Sequence, residues 1–202
     1  MSRIDPKLVL GLKRAKGLPH RLRRDKSGMA ATEFAMILPM LVLLFFGLVE
    51  GSDAMTANRR VALTTNTLAD LIAQSEQLSF DEADALITGA LAILEPADTN
   101  TVTINLVSVV LDDDDDPVVH WSRDKNGATP YAVDSDFTEL QEEGVLTDFG
   151  SVIVVEVTYP FASGFSDQVI KSPITFNRMA IRWPRLSTRV QLCDNNMLNC
   201  TS

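Results

Sequence analysis

The sequence predicts an α+β protein: a long N-terminal membrane helix continuing into an extracytoplasmic domain with a short amphipathic helix and a small antiparallel β-sheet. Three observations carry this. Residues 29–49 are apolar except for Thr32 and Glu33, and they follow a basic leader. A second segment, opened by Ser79-Phe80-Asp81-Glu82, has helical periodicity. Beyond residue 100, alternating and β-branched stretches separated by turn residues take over.

The apolar run, Met29 to Val49, is 21 residues long. As a helix it spans about 32 Å at ~1.5 Å per residue, which matches a hydrocarbon core of roughly 30 Å. It is longer than the ~7–15 residue apolar region of a secretory signal, and Val49-Glu50-Gly51 is a poor cleavage site. A span is therefore expected. Pro39, ten residues in, removes one backbone bond and favours a kink, which membrane helices tolerate when neighbours satisfy the freed carbonyl. Gly47 and Gly51 make a weak small-xxx-small pair. Past the span, Ala54, Ala57, Val61, Leu68, Leu71 and Ile72 recur at helical steps. This stripe is expected to pack on the chain's own domain, with sharing between subunits as the sharper reading.

In the second helix, Ser79 and Glu82 form a capping box. Ala83, Leu86, Ile87, Ala90, Leu91 and Leu94 make its apolar face, and Glu95-Pro96 ends it. Val102, Ile104 and Leu106 then alternate with polar residues. The phase changes near Val109-Val110, which suggests a bulge or a stretch with both faces buried. Asp112–Asp116 and Pro117 form a turn and Val118–Trp121 return, giving a hairpin. Residues 123–150 read as loop, with a short helix near 138–143. Ser151–Tyr159 is the strongest strand, stopped by Pro160. Ile174–Trp183 is the last, between Pro173 and Pro184, and a polar tail follows.

Charge divides the chain. Residues 1–28 hold nine Lys/Arg and two Asp/Glu, about +7, so the rest carries about −16 to reach the formal −9. Basic residues beside a span stay cytoplasmic. The expected organisation is a cytoplasmic leader at 1–28, a transmembrane helix at 29–51 and an extracytoplasmic domain at 52–202. The acidic bulk argues against nucleic-acid binding, which needs a basic footprint.

Site chemistry is sparse. Cys193 and Cys200, the only cysteines, read as a disulfide in an exported domain. The Asp112–Asp116 run reads as a solvated turn: an EF-hand loop starting at Asp112 would need Gly and Glu where Pro117 and Arg123 stand. His120 is expected as a surface or half-buried strand residue. No hydrolase, phosphate-loop, zincin or dinucleotide motif occurs. The expectation is a protein without catalysis, cofactor, metal or small-molecule substrate. The one residue out of place is Glu33. An ionised group at a bilayer centre costs about 2.5–3.5 kcal/mol, less near an end, so Glu33 needs a partner.

Arg23-Arg24-Asp25-Lys26-Ser27-Gly28, then Ala31-Thr32-Glu33-Phe34-Ala35-Met36-Ile37-Leu38-Pro39, then Gly47-Leu48-Val49-Glu50 resemble TadE-like proteins of bacterial tight-adherence (Tad) pilus systems. Gly28 followed by Glu33 and Phe34 resembles a type IV prepilin cleavage site. Many pilins of this branch have tyrosine where Phe34 stands. The resemblance implies cleavage between Gly28 and Met29 by a membrane prepilin peptidase. It also implies an inner-membrane location and partners among other pilins, pseudopilins and the pilus platform, in adhesion or secretion. Cleavage would place an ammonium on Met29, four residues before Glu33 and on its face; in pilin families the partner is usually a neighbour's amine. The expected function is a minor pseudopilin of a Tad-type pilus. The alternative is an uncleaved bitopic scaffold resembling TadG.

Overall fold

The computed structural model describes residues 28–95, 98–140, 146, 150–162 and 174–201. The leader expected at 1–27, the helix stop at Pro96, Pro173, and the part of the short-helix expectation at 141–143 lie outside the described residues. In chain order the elements are α1 (Met29–Ile72), β1 (Gln77–Ser79), α2 (Phe80–Leu94), β2 (Thr103–Leu111), β3 (Pro117–Asp124), β4 (Ser151–Phe161), β5 (Ile174–Arg182) and β6 (Gln191–Cys193). The chain divides into two compact units between Gly47 and Leu48.

In the first unit the described residues are Gly28 and the first part of α1. The helix runs through Pro39 without interruption. Every residue from Met29 to Val49 is exposed.

The second unit is an α+β domain. Its main sheet is antiparallel, in the order β3-β2-β4-β5. One face carries Ile104, Leu106, Trp121, Ile153, Val155 and Val157 against Val61, Leu68 and Ile72 of α1 and Ala83, Ile87, Ala90 and Leu94 of α2. The other face carries Val107, Val109, Val119, Val152 and Val154, covered by Phe137, Leu140 and Leu146 from the segment after β3. Each fully buried aliphatic side chain stabilises by about 1.5–3 kcal/mol. Both faces of β4 are thus dry, which is why Val152 to Val155 form an apolar run without alternation. Of the segment expected as loop, Arg123 and Asp124 instead extend β3, because β2 pairs with them; the described residues after them are irregular apart from a 3-10 turn at Thr138–Leu140, and Phe137, Leu140 and Leu146 cover one face of the sheet as a lid.

The phase change anticipated in the first hairpin is a bulge. Trp121 pairs with Ser108 and Val119 with Val109, so His120 is the extra residue. The bulge lets Val119 enter one core and Trp121 the other, although a regular strand would point residues two apart to the same side. Trp121 also donates from Nε1 to the Val190 carbonyl at 2.7 Å.

Other expectations are corrected. Leu71 is exposed and Thr64 and Thr65 are buried, because Leu71 falls just past the edge of the stripe centred on Val61, Leu68 and Ile72. The Thr65 hydroxyl is accommodated by donating to the Val61 carbonyl at 2.7 Å. Pro160 does not stop β4, which continues to Phe161. Pairing with β2 ends at Thr158, so Pro160 has a strand neighbour on one side only and its missing N–H is tolerated there. The polar tail contributes a strand, β6, parallel to β1. The Arg185 amide donates to Ala73 at 2.8 Å and the Gln191 amide to Glu76 at 3.1 Å, sewing the tail to the end of α1.

Candidate functional site: the start of the long helix

Gly28 sits in a turn immediately before α1. Its carbonyl accepts the Thr32 amide at 3.1 Å, the first bond of the helix. Thr32 Oγ1 donates to the Met29 carbonyl at 2.7 Å, tightening the same turn. A side chain built on Gly28 would meet nothing within 4 Å. Gly28 and Met29 are both exposed, so the described residues leave this peptide bond open to approach.

Glu33 lies one turn beyond Met29, on its face. It is exposed, and among the described residues it enters no ion pair. Phe34 beside it is 58% exposed, and Met36 is 82% exposed. A helix uncovered and apolar on all sides is stable only where lipid tails or other chains surround it. Its apolar window is long enough to cross a membrane and none of it is buried inside the protein. Gly28, Met29, Glu33 and Phe34 thus share one helix end.

Cys193 and Cys200 belong to the second unit, where they are joined with their Cα atoms 4.0 Å apart. The strap between them is held by the Asp194 carboxylate, which accepts the Leu198 amide at 2.9 Å and Asn199 Nδ2 at 2.7 Å. The Leu198 amide bond is the main reason that carboxyl is held below its ordinary range.

The remaining polar features of the domain are structural. The Asp112–Asp116 run is a self-satisfied turn: Asp112 Oδ1 accepts the amides of Asp114 and Asp116 at 2.9 and 2.8 Å. Among the described residues no group of His, Cys, Asp and Glu is placed to hold a metal ion. His120 is buried, at 7% exposure, which corrects the surface or half-buried expectation; the bulge turns it inward. Tyr131 Oη donates to Glu156 Oε2 at 2.8 Å, and Asn105 Nδ2 to the same oxygen at 3.1 Å. Burial, then the Glu156 carboxylate, pushes the Tyr131 hydroxyl pKa upward. Partial burial, then the charge of Glu156, raises the Glu139 carboxyl. These groups fasten the lid segment to the sheet. An open cleft of about 520 Å³ lies between Glu76, Gln77, Ser187, Thr188, Arg189 and Gln191; these residues are all polar, whereas small-molecule sites are lined mostly by hydrophobic and aromatic side chains.

Sequence reasoning missed a row of arginines on and after β5. Arg178 donates to Asn58 Oδ1 at 2.8 Å, Arg182 to Asn66 Oδ1 at 2.8 Å, and Arg185 to Asp70. Nothing in the spacing of these residues marks them, because their partners lie more than a hundred positions away.

Residues 28–70 match the family model of TadE-like proteins. No curated protein and no solved structure matches the chain significantly.

Proposed function

With a TadE-like segment at residues 28–70 as the premise, we propose that this protein is a minor pseudopilin of a Tad-type pilus, made as a precursor and cut after Gly28. The observation that supports the reading is the exposed apolar run Met29–Val49 of α1, which starts directly after an open glycine and holds one carboxylate, Glu33, one turn in. The basic leader supports an orientation with the N-terminus in the cytoplasm and the acidic domain outside the inner membrane. The helix is the anchor before assembly and the packing element after it. Its partners are the bilayer, a prepilin peptidase, other pilins and the platform that extrudes them.

Glu33 has a defined task in this reading. Removing the leader leaves an ammonium on Met29. Paired with that of its own chain or a neighbour's, the carboxylate recovers much of what burial costs it. The protein has a structural and assembly role and no catalysis of its own. The test is the mature N-terminus, read by mass spectrometry of the membrane-bound or sheared material. A sequence beginning at Met29 is expected. A chain retaining its arginine-rich head removes the pseudopilin and leaves the second reading, an uncleaved scaffold anchored by the same helix.

A further inference from the structure

Opposite edges of the main sheet carry opposite charge. From Ile174 to Cys193 the chain has four arginines, Arg178, Arg182, Arg185 and Arg189, and no Asp or Glu. Arg178 and Arg182 lie on β5, an edge strand. Their partners on α1, Asn58 and Asn66, are neutral amides, so these bonds fix the guanidinium groups without cancelling their charge. One carboxylate, Asp70, serves both Arg182, at 4.0 Å, and Arg185. Arg189 is exposed, and its guanidinium enters no ion pair among the described residues, although Glu76 lines the same cleft. This edge keeps a positive excess on a chain of formal charge −9.

β3 forms the other edge, beyond β4 and β2, about 14 Å from β5 at ~4.8 Å per strand. Asp112–Asp116 lead into it. Asp134 and Asp136 sit on the segment along its outer side, where the Val119 amide donates to Ser135 at 2.9 Å and Asp136 bridges to Val118. The backbone there is already paired, so this edge offers charge rather than a free strand. These aspartates are all exposed, and among the described residues none is in an ion pair. Val110 pairs with Ser151, and Ile153 with Arg182. The aspartate turn and Arg182 therefore stand at the same end of the sheet, on opposite edges.

We propose that the two edges are the halves of one contact, in which the aspartate edge of one copy of this chain docks on the arginine edge of a second copy. The partner is a second copy because one chain carries both charges at one end of its sheet. Two copies side by side in the same orientation bring them level. The symmetric alternatives set like charges together, arginine on arginine at β5 or aspartate on aspartate at β3, which costs free energy. A contact between two different patches leaves one of each open, so it extends into a row of copies. The contact does not require cleavage after Gly28, so it stands or falls apart from the pseudopilin reading.

Full-length protein carrying Val133→Cys is mixed in phosphatidylcholine vesicles with full-length protein carrying Leu186→Cys, and a short bismaleimide joins the free thiols. Val133, 58% exposed, precedes Asp134, and Leu186, 63% exposed, follows Arg185. The expected main product is the mixed dimer linked from 133 to 186. Its yield should fall several-fold as salt is raised from about 20 mM to about 500 mM, where screening acts within roughly 5 Å. Arg189→Glu on the Leu186→Cys copy should cut the yield several-fold at low salt, and Asp114→Lys on the Val133→Cys copy should restore it. Symmetric products in excess of the mixed one overturn the proposal. So does a yield indifferent to salt, or a loss through Arg189→Glu that Asp114→Lys does not rescue. Thermal melts check that the reversed variants fold, and the salt series, made on native charges, decides without them.

Discussion

Glu33 is the residue on which the membrane and assembly readings both depend. It is exposed on a helix whose neighbours are Phe34, Met36 and Ile37, so its environment is set by whatever surrounds the helix. We expect Glu33→Val to leave membrane insertion intact, since it removes an insertion cost of up to about 3 kcal/mol. We expect it also to abolish incorporation into a pilus, scored by fractionating sheared fibres. Normal piliation by that variant defeats the proposed pairing with a trimmed N-terminus. Ser79 and Glu82 offer a second test at this scale. Ser79 Oγ accepts the Glu82 amide at 3.2 Å, and Glu82 Oε2 accepts the Ser79 amide at 2.9 Å and its hydroxyl at 2.9 Å. Those bonds hold the Glu82 carboxyl below its ordinary value, the Ser79 backbone amide contributing most. A depressed carboxyl stabilises fully above its unfolded pKa and loses that contribution as pH falls through its folded one. Ser79→Ala is therefore expected to cost about 1 kcal/mol near neutrality. In thermal melts the difference from wild type shrinks as the buffer is taken from about pH 7 to about pH 3.

At the scale of elements, patterns that depend only on near neighbours were legible in the sequence. The capping box, the apolar face of α2, the hairpin across the aspartate turn and the bulge all follow from residues within a turn or a strand of one another. What was not legible depends on distant partners. Leu71 looked like part of the stripe until the domain's position on α1 drew its edge one residue short. Pro160 looked like a stop until β2 ended before it. β6 has only three residues, and it becomes a strand because β1 lies beside it. The Cys193–Cys200 loop closes just behind β6. Closing so short a loop stabilises by about 2–3 kcal/mol in the chain-entropy model. Cys193→Ser should lower domain stability by that order in denaturant titration, and intact wild-type protein should be lighter than its reduced form by two hydrogens.

At the scale of the whole molecule, the two units answer to different solvents. The domain from Leu48 onward carries its own core, with both sheet faces covered. The described residues before it form one helix with every side chain open. A fragment beginning at Ser52 keeps the part of α1 that joins the core and loses the apolar run. We expect it to fold and to remain in the aqueous phase of a detergent partition, whereas the full chain follows the detergent. A fragment that aggregates or partitions with detergent contradicts the division.

The membrane-length helix, its lone carboxylate, the glycine before it and the α+β class are readable from the chain alone, because each is written in contiguous residues and their polarity. Which face of the sheet the lid segment covers, where His120 turns inward, and how Arg178, Arg182 and Arg185 align β5 with α1 emerge from the folded chain alone. Those outcomes are energies between residues far apart in the chain. A burial or a hydrogen bond of that kind exists only once the backbone has brought its partners together.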